Sequence, residues 1–256
     1  MFVEERQQRI LERLRAQGKV TVEELAGQFG VSAPTVRADL AALEARRLLR
    51  RTHGGALPLE TSLYEPPFAE RAVACHEEKR RIGEAAAARI RPGETVLLDA
   101  GTTTHEVAVA LKEGGTQGVT VVTNNLSAAL LLMDSPGIEV IVIGGQAQPR
   151  RRATLGPLAV DFLKPLRADR LFLGVSGVDP RAGLTAVDFD AVQVKRAMRE
   201  HAAEVVVVAD VAKIGQAAFA HIAPLSACDL LLTDAGLSDE DATALRDAGL
   251  PAILRV

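Results

Sequence analysis

Apolar residues recur at helical spacing over the first fifty positions and in short solid runs after them, and this change of rhythm divides the chain. From about Val3 to Gln17, Ile10, Leu11 and Leu14 share one helical face. Thr21 and Glu24 form a Thr-x-x-Glu capping box, which satisfies backbone donors left orphaned at a helix start. The next helix, about Val22 to Phe29, stops at Gly30, a residue that tolerates the positive φ of a tight turn. Ser32 opens another helix, Ala33 to about Arg46, with Pro34 harmless in its first turn and Val36, Leu40 and Leu43 on an inward stripe. Thr35, Arg37, Ala38 and Asp39 fall on the opposite face, where short and polar groups suit a major groove. Leu48-Leu49-Arg50-Arg51-Thr52-His53 followed by Gly54-Gly55 reads as a β-hairpin wing with cations for phosphate oxygens. The expectation for residues 1–57 is a winged helix-turn-helix domain, with Arg37 among the base readers and Arg51 and His53 on phosphates.

Residues 58–75, rich in proline and without sustained periodicity, read as a linker whose Tyr64 and Phe68 could dock on the second domain. Over 76–256, amphipathic segments such as EEKRRIGEAAAARI and FDAVQVKRAMREHAAE alternate with aliphatic runs. The runs are Thr95–Asp99, Val119–Thr123, Ile138–Ile143, Arg170–Gly174, Glu204–Ala209, Leu230–Thr233 and Ala252–Val256. Strands as apolar as VIVIG and VVVVAD need cover on both faces, so the pattern predicts a Rossmann-like α/β domain with a mainly parallel sheet.

Charge sharpens the division. Residues 1–57 hold ten Lys and Arg against seven Asp and Glu, whereas the rest is acidic, twenty against twenty-six. A basic head on an acidic body suits a nucleic-acid module joined to something else. Because such heads bind paired half-sites, a homo-oligomer, dimer or tetramer, is expected. At 48% hydrophobic residues, the 256-residue chain can bury a second core. No stretch is long and apolar enough to span a bilayer and no signal-peptide pattern opens the chain, so a cytoplasmic protein is expected. Cys75 and Cys228 lack metal-ligand spacing and read as reduced thiols, with no metal and no cofactor expected.

Ligands of open α/β sheets bind beyond the carboxyl ends of the strands, and here those ends are small and polar. The first run ends in Asp99-Ala100-Gly101-Thr102-Thr103-Thr104, a hydroxyl-bearing turn into a helix whose free N–H groups could hold a phosphate. The next ends carry Asn124, then Gly144-Gly145-Gln146, then Gly174-Val175-Ser176-Gly177-Val178-Asp179, then Asp210 before Lys213. Neither GxGxxG nor GxxxxGK[ST] occurs, so a nucleotide fold of those types is not indicated. Asp99, Asp179, Asp188 and Lys195 also provide the residue types of an enediol mechanism, which leaves a sugar-phosphate isomerase or deaminase with a DNA-binding appendage as the alternative. The run Arg150-Arg151-Arg152 could extend the ligand site, pair with acids across an interface, or be a solvated loop, the simplest reading.

Taken in order, EERQQRILERL, SAPTVRADLAALEARRLLRRTHGGA, EKRRIG, LLDAGTTT, VVTNN, VIGG, DRLFLGVSGVD, VKRAM and ADVAKIG resemble a DeoR-family transcriptional regulator along essentially the whole chain. The resemblance implies a non-enzymatic regulator, in most members a repressor of a catabolic operon. It also implies a sensor domain similar to ribose-5-phosphate isomerase that binds a phosphorylated sugar or related metabolite. Ser32, Thr35 and Arg37 match the recognition-helix segment and Arg51 and His53 the wing; with Thr21 they form the candidate DNA-binding set. Gly101, Thr102, Thr103 and Thr104 match the phosphate loop, with Asp99 and Asn124 beside it. Lys79, Lys195 and Lys213 match motif lysines, and Gly145 and Asp179 complete the candidate effector set. The chain departs from the family at Asp210-Val211-Ala212-Lys213-Ile214-Gly215, where Asp-Ser-Ser-Lys-Phe-Gly is frequent, and at Ser176, where an Asp is common.

Overall fold

The computed structural model describes residues 2–17, 20–46, 48–52, 54–57 and 65–256. Two compact units result, residues 1–64 and 65–256. His53, Tyr64 and residues 58–64 lie outside the described residues.

The first unit runs α1 (Val3–Gln17), β1 (Val20–Thr21), α2 (Val22–Phe29), α3 (Ala33–Ala45), β2 (Arg50–Thr52) and β3 (Gly55–Leu57). The capping box is formed in both directions: Thr21 Oγ1 accepts from the Glu24 N–H at 3.2 Å, and the Thr21 N–H donates to Glu24 Oε2 at 3.1 Å. Gly30 ends α2 at φ 63, its N–H returning to the Ala26 carbonyl, and the Ser32 hydroxyl caps α3. Ile10, Leu14, Leu25, Val36, Leu40, Leu43 and Leu49 fill the core between the helices and the wing. The wing gains a third strand, since β1 pairs with β3 through Val20 and Ala56. Two residues are too few for periodicity to reveal.

One expectation for α3 is corrected. Asp39 is not on the solvent face with Arg37 and Ala38: it is 3% exposed. Its carboxylate accepts from Arg6 Nε at 2.5 Å and Nη2 at 3.2 Å, and from Gln7 at 3.3 Å. Three residues after Val36, Asp39 lies on the edge of the inward stripe, and α1 covers it. A carboxylate there survives burial because α1 brings a cation to it.

The second unit contains α4 (Phe68–Val73), α5 (His76–Ala87), β4 (Thr95–Leu98), α6 (Thr102–Glu113), β5 (Val119–Thr123), α7 (Leu126–Leu132) and β6 (Ile138–Val142). Next come β7 (Gln146–Gln148), β8 (Ala153–Leu155), α8 (Pro157–Leu163), β9 (Ala168–Gly174), β10 (Gly177–Asp179), β11 (Gly183–Ala186) and α9 (Phe189–Glu200). Then follow β12 (Ala202–Val208), β13 (Ala220–Ala223), β14 (Leu230–Thr233), α10 (Asp239–Asp247) and β15 (Ile253–Arg255). All seven anticipated runs are strands of one sheet in the order β15-β14-β12-β9-β4-β5-β6, with every pairing parallel. Alternate residues serve two cores. Val96, Leu98, Val206 and Val208 pack with α5, α6 and α7, while Leu97, Val205 and Val207 pack with α8, α9 and α10.

Chain order runs outward in both directions from the β4/β9 pair, so the crossovers reverse there. That topological switch point leaves a crevice at the carboxyl ends, where neighbouring connections leave in opposite directions. The short antiparallel pairs β7–β8 and β10–β11–β13 stand outside the sheet, and their three- and four-residue strands left no readable alternation. Residues 65–75, expected as the end of a linker, belong to the second unit and contain α4, with Phe68 buried. Six helical residues after two prolines carry too little pattern to read.

Replacing Asp39 by Ala should strand the Arg6 cation and cost the first unit about 3 kcal/mol. Amide hydrogen exchange over 22–45 should accelerate while exchange in the second unit stays unchanged. The apolar pair Arg6→Met with Asp39→Leu should restore protection; equal exchange in Asp39→Ala and the parent chain would contradict a structural role for the pair.

Candidate functional site

On α3 Pro34, Arg37, Ala38, Ala42 and Ala45 are exposed, with Arg37 the charged group among them and Thr35 half-buried. The Ser32 and Thr35 hydroxyls lie 2.9 Å apart and hydrogen-bond to each other. Thr21 spends its hydroxyl on the capping box, so it orients α2. Arg51 on the wing is gripped by Glu44 of α3: the backbone N–H donates to Oε1 at 2.9 Å and Nε to Oε2 at 2.8 Å. Those two contacts, the backbone one first, hold the Glu44 carboxyl below its ordinary range. The wing cation is thereby oriented before any phosphate arrives.

The second unit concentrates its polar groups at the β4/β9 switch point. Asp99, 1% exposed, follows β4, and its carboxylate accepts from the Gly174 N–H at 3.1 Å and from Lys195 Nζ. Lys195, on α9, also donates to the Gly174 carbonyl at 2.9 Å. Burial pushes the Asp99 carboxyl up, against the pull of the Lys195 ammonium. Gly101 then admits the chain to α6, and Thr102, Thr103 and Thr104 make its buried first turn. The Thr104 hydroxyl donates to the Gly101 carbonyl at 3.1 Å. First-turn N–H groups and the positive dipole end of a twelve-residue helix therefore face this crevice.

Asn124 and Asn125 continue the rim after β5. Asn125 caps α7 and donates to the Gly101 carbonyl at 3.1 Å, fixing the phosphate-type loop from below. Asn124 donates to the Thr154 carbonyl at 3.2 Å, but its Oδ1, although the residue is 1% exposed, has no hydrogen-bond partner. A buried acceptor left unpaired is costly in a closed protein and points to a donor supplied from outside.

Lys79 is buried below the α4–α5 junction, where its Nζ donates to the carbonyls of Arg71, at 2.6 Å, and Ala74. Burial lowers its pKa, and the nearby Asp210 and Lys213 act on it in opposite directions. Two expected residues stand apart. The Asp179 carboxylate turns back onto the Arg181 and Ala182 N–H groups at 2.8 and 2.7 Å, closing the β10–β11 turn. An Asp two residues before a free backbone N–H serves the turn, and here it does so through Oδ1 alone. Gly145 has φ 148, and a Cβ there would lie 2.7 Å from the Leu155 carbonyl; it permits close packing under the rim.

The structure adds residues that spacing did not suggest. Arg151, in the run whose simplest reading was a solvated loop, pairs with Glu65 at 2.6 Å and with Asp188 at 3.4 Å. Arg152 lies 5.0 Å from the centroid of the Phe68 ring, and the ring edge meets His105 at 5.7 Å. Asp188 caps α9 through the Ala191 N–H at 2.9 Å. Among the described residues no cluster of His, Cys, Asp and Glu is arranged to hold a metal ion, and no helix is long and apolar enough to cross a membrane.

Known proteins share both units. The DeoR-like helix-turn-helix domain matches residues 6–62 and the DeoR C terminal sensor domain residues 74–235. The chain belongs to the DeoR family of transcriptional regulators. Among its DeoR relatives, the HTH-type transcriptional regulator GlpR of Haloferax volcanii is 36% identical over 99% of this chain and 98% of its own. The glycerol-3-phosphate regulon repressor of Escherichia coli is 37% identical over 88% of each. The HTH-type transcriptional repressor GlcR of Bacillus subtilis is 34% identical over 91% of this chain and 89% of its own. Ribose 5-phosphate isomerase A of Methanocaldococcus jannaschii superposes on 55% of each chain at 18% identity and a TM-score of 0.39, too loose a likeness to bear on chemistry. In DeoR terms the first unit is the DNA-binding head and the second the sensor.

His105, in the first turn of α6, is half-buried with Nδ1 unpartnered. Burial first, and the Arg152 charge second, lower its pKa from 6.5. A base whose folded pKa is depressed contributes stability that is present above pH 6.5 and lost as the pH falls through the folded value. Thermal unfolding of the sensor between pH 7.5 and 5 should therefore show an acid-side loss that is smaller in His105→Gln. Parallel curves for the two proteins would remove His105 as its source.

Proposed function

We propose that this DeoR-family chain is an operator-binding repressor that works as a homo-oligomer in the cytoplasm and is controlled by a phosphorylated sugar or related metabolite held in the β4/β9 crevice. One pair of observations supports the effector reading: α6 starts directly after β4 at the switch point, and the buried Asn124 at the end of the neighbouring β5 has an unpaired Oδ1. Helix N–H groups and hydroxyls suit a phosphate, and the Asn124 acceptor suits a hydroxyl of the moiety that bears it. Thr102, Thr103 and Thr104 would receive the phosphate, while the Asp99–Lys195 pair holds the floor of the crevice. The relatives named for glycerol-3-phosphate control and for repression support the same class.

A binding role suits the carboxylates better than catalysis does. Asp99 is neutralised by Lys195, Asp179 closes a turn, and Asp188 caps a helix and pairs with Arg151. Each of the three carboxylates thus already has a structural partner within the chain.

On the DNA side, α3 would enter the major groove with Arg37 on base edges and the wing would set Arg51 on a phosphate. Control then requires the effector to prefer the DNA-incompetent arrangement, with typical couplings of about 1–3 kcal/mol. Gel retardation on the chain's own upstream region, with and without glycerol 3-phosphate and pentose and hexose phosphates, tests this directly. Specific retardation at moderate salt, altered by at least one phosphate, is expected; its absence would overturn the repressor reading.

Arg37→Ala should narrow the gap between operator and random DNA by about 1–3 kcal/mol. Arg51→Ala should weaken both equally and reduce the salt dependence by about one counterion. Equal losses on both DNAs for Arg37→Ala would remove it from base recognition.

A further inference from the structure

Residues 65–75 form a strap on the sensor that is fastened by charge and by backbone. At its start Glu65 lies between two arginines, Arg71 at 3.2 Å and Arg151 at 2.6 Å. Arg71 belongs to α4 within the strap and also donates to the Pro66 carbonyl at 3.0 Å. Arg151 comes from the turn between β7 and β8. The Phe68 N–H donates to the Arg150 carbonyl at 2.8 Å, so strap and turn are held by backbone as well as charge. The strap also reaches the first turn of α6, where the Phe68 ring meets His105 edge-on at 5.7 Å between centroids.

Backbone strain marks the same place. Only Cys75 and Arg152 among the described non-glycine residues have positive φ, 51 and 52. One ends the strap and the other ends the turn that fastens it. Residues held in this sparsely populated region cost free energy and persist where the surroundings impose them, commonly at ligand clamps.

We infer that the strap is a wall of the effector site and that Arg71 and Arg151 exchange the Glu65 carboxylate for the effector's anionic group. Each guanidinium meets Glu65 through a single ion-pair contact, Arg71 at Oε1 and Arg151 at Oε2, and no hydrogen bond closes on Oε2, so neither fork is filled and an anion that engages both in paired N–H geometry is the better partner. A phosphate, with more charge than one carboxylate, is the stronger partner for two adjacent guanidinia. Glu65 is then freed, and with it the first residue of the sensor, directly after the stretch of chain that comes from the DNA-binding head. The exchange thus gives the effector a differential contact between two states of the strap, which is what control by a ligand requires.

This inference rests on the effector reading of the crevice, and calorimetric titration of the full chain separates the two. Glycerol 3-phosphate, ribose 5-phosphate and inorganic phosphate serve as probes. Glu65→Gln removes the internal competitor and should tighten the best of them about ten-fold, whereas Arg71→Gln should weaken it about ten-fold. Arg71→Lys, which keeps the cation without the fork, should recover part of that loss. Opposite signs are the signature, because a strap held only for stability loosens in both variants and shifts affinity in one direction. Same-sign or absent effects, with the parent chain still binding, overturn the exchange alone. A parent chain that binds none of the three probes overturns the effector reading and the exchange together.

Discussion

The ion pair between Asp99 and Lys195 holds the sensor together at its most demanding point. Strands β4 and β9 are neighbours in the sheet but leave in opposite directions through their crossovers, which opens a gap in an otherwise apolar layer. Asp99 bridges that gap to the Gly174 N–H, and Lys195 neutralises it from α9. Neither charge would tolerate burial alone, and together they leave the first turn of α6 facing the crevice. A sheet covered on both faces has no other place for polar chemistry, since its surfaces are given over to two hydrophobic cores.

The DNA-binding head repeats this logic on a smaller scale. Arg6 and Asp39 join α1 to α3 through a covered ion pair, and the caps at Thr21 and Ser32 set where the two later helices begin. Everything that orients α3 is thereby directed inward, which frees Arg37 and Ala38 for an outside partner. Glu44 extends the arrangement to the wing by holding Arg51 with both carboxylate oxygens. Recognition surfaces work best when their supporting contacts lie behind them, because no part of the binding energy is then spent on ordering side chains.

Several of the sensor's cations are already engaged within the chain, Lys195 by Asp99, Arg71 and Arg151 by Glu65, and Lys79 by backbone carbonyls. The DeoR C terminal sensor domain matches residues 74–235, and Val211, Ala212 and Ile214, where the family resemblance implies hydroxyls and an aromatic, fall in the loop after β12.

Local chemistry was legible in the sequence wherever one segment sufficed to express it. Period 3.6 marked α1, α2 and α3, aliphatic runs marked all seven strands of the main sheet, and caps marked helix starts, because each signal arises from contacts within a few residues. The order of motifs likewise carried the family. What the tertiary structure alone decided depended on partners far apart along the chain: Asp39 became an inward ion pair because Arg6 lies across from it, 33 residues away. Arg151 became a clamp on Glu65 because the β7–β8 turn reaches the strap, and one oxygen of Asp179 was taken up by its own turn. Charged and hydroxyl side chains carry no periodic mark of what they will meet. Their roles follow from desolvation and pairing, which exist only once distant segments have packed.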